Sequence, residues 1–145
     1  MILKKKTFNQ PNNIDYLVYL PDEYYNDEKS YPLVLFLHGA GERGNNIDLI
    51  KKHGIPKRIE EGAHFPFITI APQCRDGIWW SNRENINILE KLMNCSILDL
   101  KVDEKRIYGT GLSMGGFGIL ELALKVPSLF TAIVAICGGT ITNDL

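Results

Sequence analysis

Gly111-Leu112-Ser113-Met114-Gly115 follows a short β-branched and aromatic run, Arg106-Ile107-Tyr108, and leads directly into a helix-like stretch that begins at Met114. A serine on a sharp turn between a strand and a helix is the arrangement of a nucleophile elbow, which leaves the hydroxyl exposed at the strand's end. The turn is so tight that the residues two before and two after the serine must be very small. Glycine at 111 and 115 meets that demand, and Gly116 adds room. Ser113 is therefore the candidate catalytic nucleophile, placed for attack on a carbonyl.

Working outward, the chain alternates strands with helices. Ile14-Asp15-Tyr16-Leu17-Val18-Tyr19-Leu20 alternates as a half-buried strand does and stops at Pro21. Leu33-Val34-Leu35-Phe36-Leu37 is continuously apolar, as in a strand covered on both faces. Phe67-Ile68-Thr69-Ile70-Ala71, Arg106-Ile107-Tyr108 and residues 132–137 read as three more short strands. Helices are expected from about 84 to 98, where Ile86, Leu89, Leu92, Met93 and Ile97 form a stripe, and from 114 to 126, closed by Pro127. Strands alternating with helices favour parallel pairing and right-handed crossovers. The expected fold is α/β: a three-layer sandwich with a mostly parallel central sheet and helices on both faces, residues 1–145 forming one domain. Ligands in such sheets bind at the carboxyl ends of the strands.

The most apolar strand ends in Leu37-His38-Gly39-Ala40-Gly41-Glu42-Arg43-Gly44, whose glycines let backbone approach a ligand. In a hydrolase of this plan, an oxyanion is held by the N–H of the residue after the nucleophile and by one from such a loop. Here those residues are Met114 and Ala40, each donor being worth about 3 kcal/mol of transition-state stabilisation. Ile78-Trp79-Trp80-Ser81 follows the strand ending at Ala71, and aromatic walls suit a substrate pocket. Trp79 and Trp80, with His38 and Gly39, are the candidate pocket residues, the alternative being that the tryptophans cover the core. Glu42 and Arg43 are expected to form a local pair; orienting the oxyanion loop or touching a polar substrate group is the alternative.

Composition narrows the function classes. Sixteen basic and 17 acidic side chains leave a net charge of −1, so there is no electrostatic case for nucleic acid. Lys4-Lys5-Lys6 reads as a solvated N-terminal end. No apolar run approaches the roughly 18 residues of a membrane span. The N-terminus lacks the apolar core of a secretory signal. The three cysteines, Cys74, Cys95 and Cys137, form neither a CxxC pair nor a zinc pattern, so no metal is expected, and a reducing, cytoplasmic location fits. Cys137 reads as a small buried apolar residue.

His38-Gly39-Ala40-Gly41-Glu42-Arg43-Gly44, then Ala71-Pro72-Gln73-Cys74 with Trp79 beyond, then Gly109-Thr110-Gly111-Leu112-Ser113-Met114-Gly115-Gly116-Phe117-Gly118 together resemble the α/β-hydrolase superfamily. Within it they resemble the phospholipase/carboxylesterase branch that includes proteins labelled predicted peptidases. The likeness runs from about Asp15 to Gly139. It implies an eight-stranded parent fold, hydrolysis of small carboxylic esters, and a Ser, Asp, His triad without a cofactor.

One departure bears on activity. His38, His53 and His64 all precede Ser113, whereas the family's acid and histidine follow strands beyond residue 137. A serine hydroxyl is a poor nucleophile without an adjacent base. The resemblance assigns His38 to bracing the loop, and His53 and His64 fall in a polar segment where surface positions are expected. Asp144 lies after the last strand, yet an acid without a histidine orients nothing. The chain is thus expected to be the N-terminal portion of a longer protein, its last strand becoming an exposed edge that invites another chain. A homodimer through that edge, or a catalytically inactive binding or assembly role, is the alternative.

Overall fold

The computed structural model describes residues 1–9 and 13–140; Asp144 lies outside them. Along the chain come β1 (Ile2–Phe8), β2 (Ile14–Leu20), β3 (Tyr31–Leu37), a 3-10 turn (Ala40–Glu42), a longer 3-10 segment (Ile47–Lys52), α1 (Gly54–Glu60), β4 (Ile68–Pro72), α2 (Arg83–Asp99), β5 (Val102–Leu112), α3 (Met114–Lys125) and β6 (Ala132–Ile136). The strands form one sheet in the order β1-β2-β4-β3-β5-β6. β1, β2 and β4 pair antiparallel, and β4, β3, β5 and β6 pair parallel.

The continuous apolar run predicted for a doubly covered strand sits at the sheet's centre. Leu33, Leu35 and Leu37 of β3 pack with Leu89, Leu92 and Met93 of α2 and Ile119 and Leu122 of α3. Phe36 packs on the opposite face with Leu17, Tyr19 and Ile50, and Ile59 of α1 lies against that cluster. The stripe read at helical spacing is the buried face of α2, whose first turn is capped by the Asn82 side chain accepting from Glu84 N–H at 2.9 Å. Strands alternating with helices therefore build the expected three-layer α/β sandwich.

Two elements differ from the sequence reading. Lys4-Lys5-Lys6 is solvated as expected, yet it is also the middle of β1, paired residue by residue with β2. Its lysines are exposed, and Lys5 Nζ lies 2.9 Å from an Asp48 carboxylate oxygen. Lysines obscure the pattern of a strand, yet they suit a sheet edge because they repel a further strand. β5 also extends well beyond Arg106-Ile107-Tyr108, since Gly109 and Gly111 read as breakers although both lie in register beside β3.

The opposite edge is different. β6 carries no charge, pairs only with β5 among the described residues, and leaves Val134 62% and Ile136 48% exposed. Cys137, expected to be buried, is exposed just past the end of β6.

Candidate active site

β3 and β5 are parallel neighbours with Leu37 opposite Gly111, so the segments that follow them emerge side by side at the carboxyl end of the sheet. One becomes the His38–Ala40 loop, the other the elbow at Ser113. Ser113 is exposed and has φ 52° and ψ −114°, a conformation that L residues adopt at a cost of about 1–3 kcal/mol. The surroundings enforce it. Ser113 N–H donates to the Ile136 carbonyl at 2.7 Å, and Phe117 N–H donates to the Ser113 carbonyl at 3.1 Å, opening α3.

The two glycines of the motif are required by close approach. A Cβ on Gly111 would lie 2.2 Å from the Gly115 carbonyl oxygen, and one on Gly115 would lie 1.9 Å from the Leu37 carbonyl oxygen. β3, β5 and α3 can meet at this point only if both side chains are missing. The N–H groups of Met114, Gly115 and Gly116 open α3 and have no helix carbonyl one turn back to accept them. Ala40 opens the 3-10 turn that follows Gly39. Gly39 itself abuts the elbow, its absent Cβ being 3.6 Å from the Leu112 carbonyl oxygen.

Of the four residues expected to line a pocket, Trp79 alone offers a surface, being 51% exposed. Trp80 is fully buried, donates from Nε1 to the His38 carbonyl at 3.1 Å, and packs edge-on against the His38 ring. It is a core residue beneath the loop, because α3 comes so near that a Cβ on Gly118 would lie 2.4 Å from Trp80 Cβ. His38 is buried as well. Its Nδ1–H donates to the Gly39 carbonyl at 2.6 Å, while Nε2 accepts from Cys74 N–H at 2.9 Å. Burial holds its pKa below the ordinary histidine value against the pull of the Gly39 carbonyl and Glu42, so the ring is neutral. Gly39 is also buried. His38 thus links the loop after β3 to the segment after β4.

The other histidines each face a carboxylate. His53 Nε2 lies 3.5 Å from Glu42 Oε1, and His64 Nδ1 lies 2.5 Å from Asp22 Oδ2; both histidines are exposed. Glu42 and Arg43 do not form the expected pair. Glu42 is buried against His53, and Arg43 turns away to bond Ala40 and Ile78 carbonyls.

A bracing network escaped the sequence reading. Buried Gln73 donates from Nε2 to the Glu42 carbonyl at 2.9 Å and the Asn46 carbonyl at 2.8 Å, and Gly44 N–H donates to the Cys74 carbonyl at 3.0 Å. Asn85, on the buried face of α2, donates to the Trp79 carbonyl at 2.8 Å. The available signal was polar side chains in apolar contexts: Gln73 directly after β4 and Asn85 beside the stripe of α2. Such groups are retained where backbone needs partners.

A sheet parallel from β4 to β6, helices on both faces and an exposed serine on a β5-to-α3 elbow define the α/β-hydrolase fold. No family model matches the chain. It is similar to a probable feruloyl esterase C of Aspergillus niger, 30% identical over 140 residues that cover 93% of this chain and 50% of that protein. A counterpart from Aspergillus terreus is 28% identical over 137 residues, covering 91% and 49%. Among solved structures, a thermostable esterase superposes with TM-score 0.78 and 31% identity over 95% of this chain and 41% of its own. The chain spans about half the length of the curated relatives it matches. The resemblance to carboxylesterase-type α/β hydrolases drawn from the motifs is thus borne out.

Proposed function

We infer that this polypeptide is part of a serine hydrolase acting on small carboxylic esters, with Ser113 as nucleophile. The observation that carries the reading is the conformation of Ser113: exposed, at positive φ, on an elbow set beside the His38–Ala40 loop. In this scheme Ser113 Oγ attacks the ester carbonyl carbon as its proton passes to a base. The N–H groups of Met114 and Ala40 stabilise the resulting oxyanion. Collapse of the tetrahedral species expels the alcohol, which takes the proton from the base, and water then releases the acid from the acyl-enzyme. His38 is bonded to Gly39 and Cys74, and His53 and His64 face Glu42 and Asp22, so the scheme takes its base and orienting acid from outside the described residues. No cofactor enters the scheme. Half-exposed Trp79 favours esters of aromatic acids, in keeping with relatives named feruloyl esterases. Three free thiols, two of them exposed, support a reducing, cytoplasmic setting.

The test is hydrolysis of 4-nitrophenyl acetate and of a methyl hydroxycinnamate by the native gene product and by Ser113→Ala. Activity in the parent and its loss in the variant are expected; equal rates would sink the reading. The uncharged, exposed β6 edge favours a second reading, in which two copies pair along it and the chain has a binding or assembly role. A monomer in size-exclusion chromatography across micromolar concentrations would count against it.

A further inference from the structure

The loop that carries the Ala40 donor is held upstream through His38, whose Nδ1–H donates to the Gly39 carbonyl at 2.6 Å. Ala40 sits between Gly39 and Gly41, so its neighbours place little restraint on the backbone, and nothing lies within 4 Å of where a Gly41 Cβ would be. A donor worth its full stabilisation must be held in place before the charge develops. The Gly39 carbonyl, which shares its peptide plane with the Ala40 N–H, also accepts from Glu42 N–H at 3.4 Å, and the Gln73 and Gly44 bonds secure the loop downstream, so what remains to be fixed is the next peptide plane, Ala40–Gly41. The side-chain tether on Ala40 itself comes from Arg43, whose Nε donates to the Ala40 carbonyl at 3.0 Å. The same guanidinium reaches a second segment, Nη1 donating to the Ile78 carbonyl at 3.1 Å, and its Cζ lies 6.0 Å from the centroid of the Trp79 ring. A planar fork can bond two carbonyls and face an aromatic ring at once, which a lysine ammonium cannot.

We propose that Arg43 is a positioning residue that locks the Ala40 N–H donor and the Trp79 face into one unit, joining the oxyanion loop after β3 to the aromatic wall after β4. This deepens the ester-hydrolase reading and rests on it. The consequence is specific to the transition state: a displaced donor weakens stabilisation of the developing oxyanion while leaving ground-state binding of a small ester nearly untouched.

The experiment uses the native gene product with 4-nitrophenyl acetate, comparing parent, Arg43→Met, Arg43→Lys and Ser113→Ala. Arg43→Met is expected to lower kcat about tenfold or more, with KM within about twofold, as misplacing a catalytic group by an ångström can do. Arg43→Lys should fall nearer to Arg43→Met than to the parent, and in both the exposed tryptophan should become more open to acrylamide quenching. A folded Arg43→Met or Arg43→Lys with the parent kcat, or with its loss confined to KM, overturns the proposal. Should Ser113→Ala keep the parent rate, the ester-hydrolase reading fails instead. Quenching then decides the Arg43 bridge, which unchanged quenching in both variants overturns. Arg43→Lys keeps the test open if Arg43→Met does not fold.

Discussion

Ser113 N–H donates to the Ile136 carbonyl at 2.7 Å, so the strand at the open edge of the sheet also clamps the backbone of the serine at the elbow. β6 is thereby part of what holds Ser113 in its positive-φ conformation, and the cost of that conformation is met by contacts from three strands and a helix.

Because the elbow is enforced rather than intrinsically favoured, glycine at 113 should relax it. Ser113→Gly is expected to exceed Ser113→Ala in stability by about 1 kcal/mol in urea denaturation, since an alanine retains the strained backbone. A lower midpoint for the glycine variant would show that the site stores no strain.

Gly115 and Gly41 should respond in opposite ways to the same added methyl. Gly115→Ala drives a Cβ to 1.9 Å from the Leu37 carbonyl oxygen, where backbone rather than a flexible side chain must yield, whereas Gly41→Ala meets open space. A loss of about 3 kcal/mol or more is expected for the first and less than about 0.5 kcal/mol for the second. Equal unfolding midpoints would contradict the packing described at the elbow.

The adjacent tryptophans should separate cleanly. Trp80 is fully buried and Trp79 half-exposed, so Trp80→Ala is expected to cost about 3–5 kcal/mol and Trp79→Ala less than about 1 kcal/mol. Steady-state quenching by acrylamide should reach one indole and spare the other.

His38 couples the loop to pH. Its folded pKa lies below the ordinary 6.5 chiefly through burial, so the unfolded chain binds more protons once pH falls below that value. Stability that is complete above pH 6.5 should therefore decline as pH falls toward the folded pKa, when a proton on Nε2 would displace the Cys74 N–H. His38→Gln is expected to flatten that part of the profile of unfolding free energy against pH. An unchanged slope would assign it to other groups.

Burial pushes the Cys74 thiol up to about 11, while Cys95 and Cys137 are exposed. Labelling at pH 8 should modify two thiols rapidly and Cys74 only on unfolding, because the thiolate is the reacting species. Mass spectrometry of the labelled peptides reads this directly, and fast modification of Cys74 would be the contrary result.

Much of this architecture was legible in local patterns. The apolar run of β3, the stripe of α2 and the Gly-x-Ser-x-Gly turn each report a periodicity or a steric demand that neighbouring residues satisfy among themselves. β1 was not legible, because an edge strand guarded by lysines does not look like a strand until β2 is beside it. The full length of β5 was hidden for a related reason, since its glycines disfavour a strand except where other segments approach closely.

At the site, the sequence by itself determined the serine, the small residues around it and the loop that accompanies it, since these follow from chain geometry over a few bonds. The tertiary structure decided what each neighbour does. Trp80 went into the core and Trp79 to the surface, although they are adjacent. Glu42 and Arg43 parted, one toward His53 and the other toward Ala40 and Ile78. Such assignments depend on which strands lie side by side at the carboxyl end of the sheet, a relationship among residues far apart in the chain that no local pattern encodes.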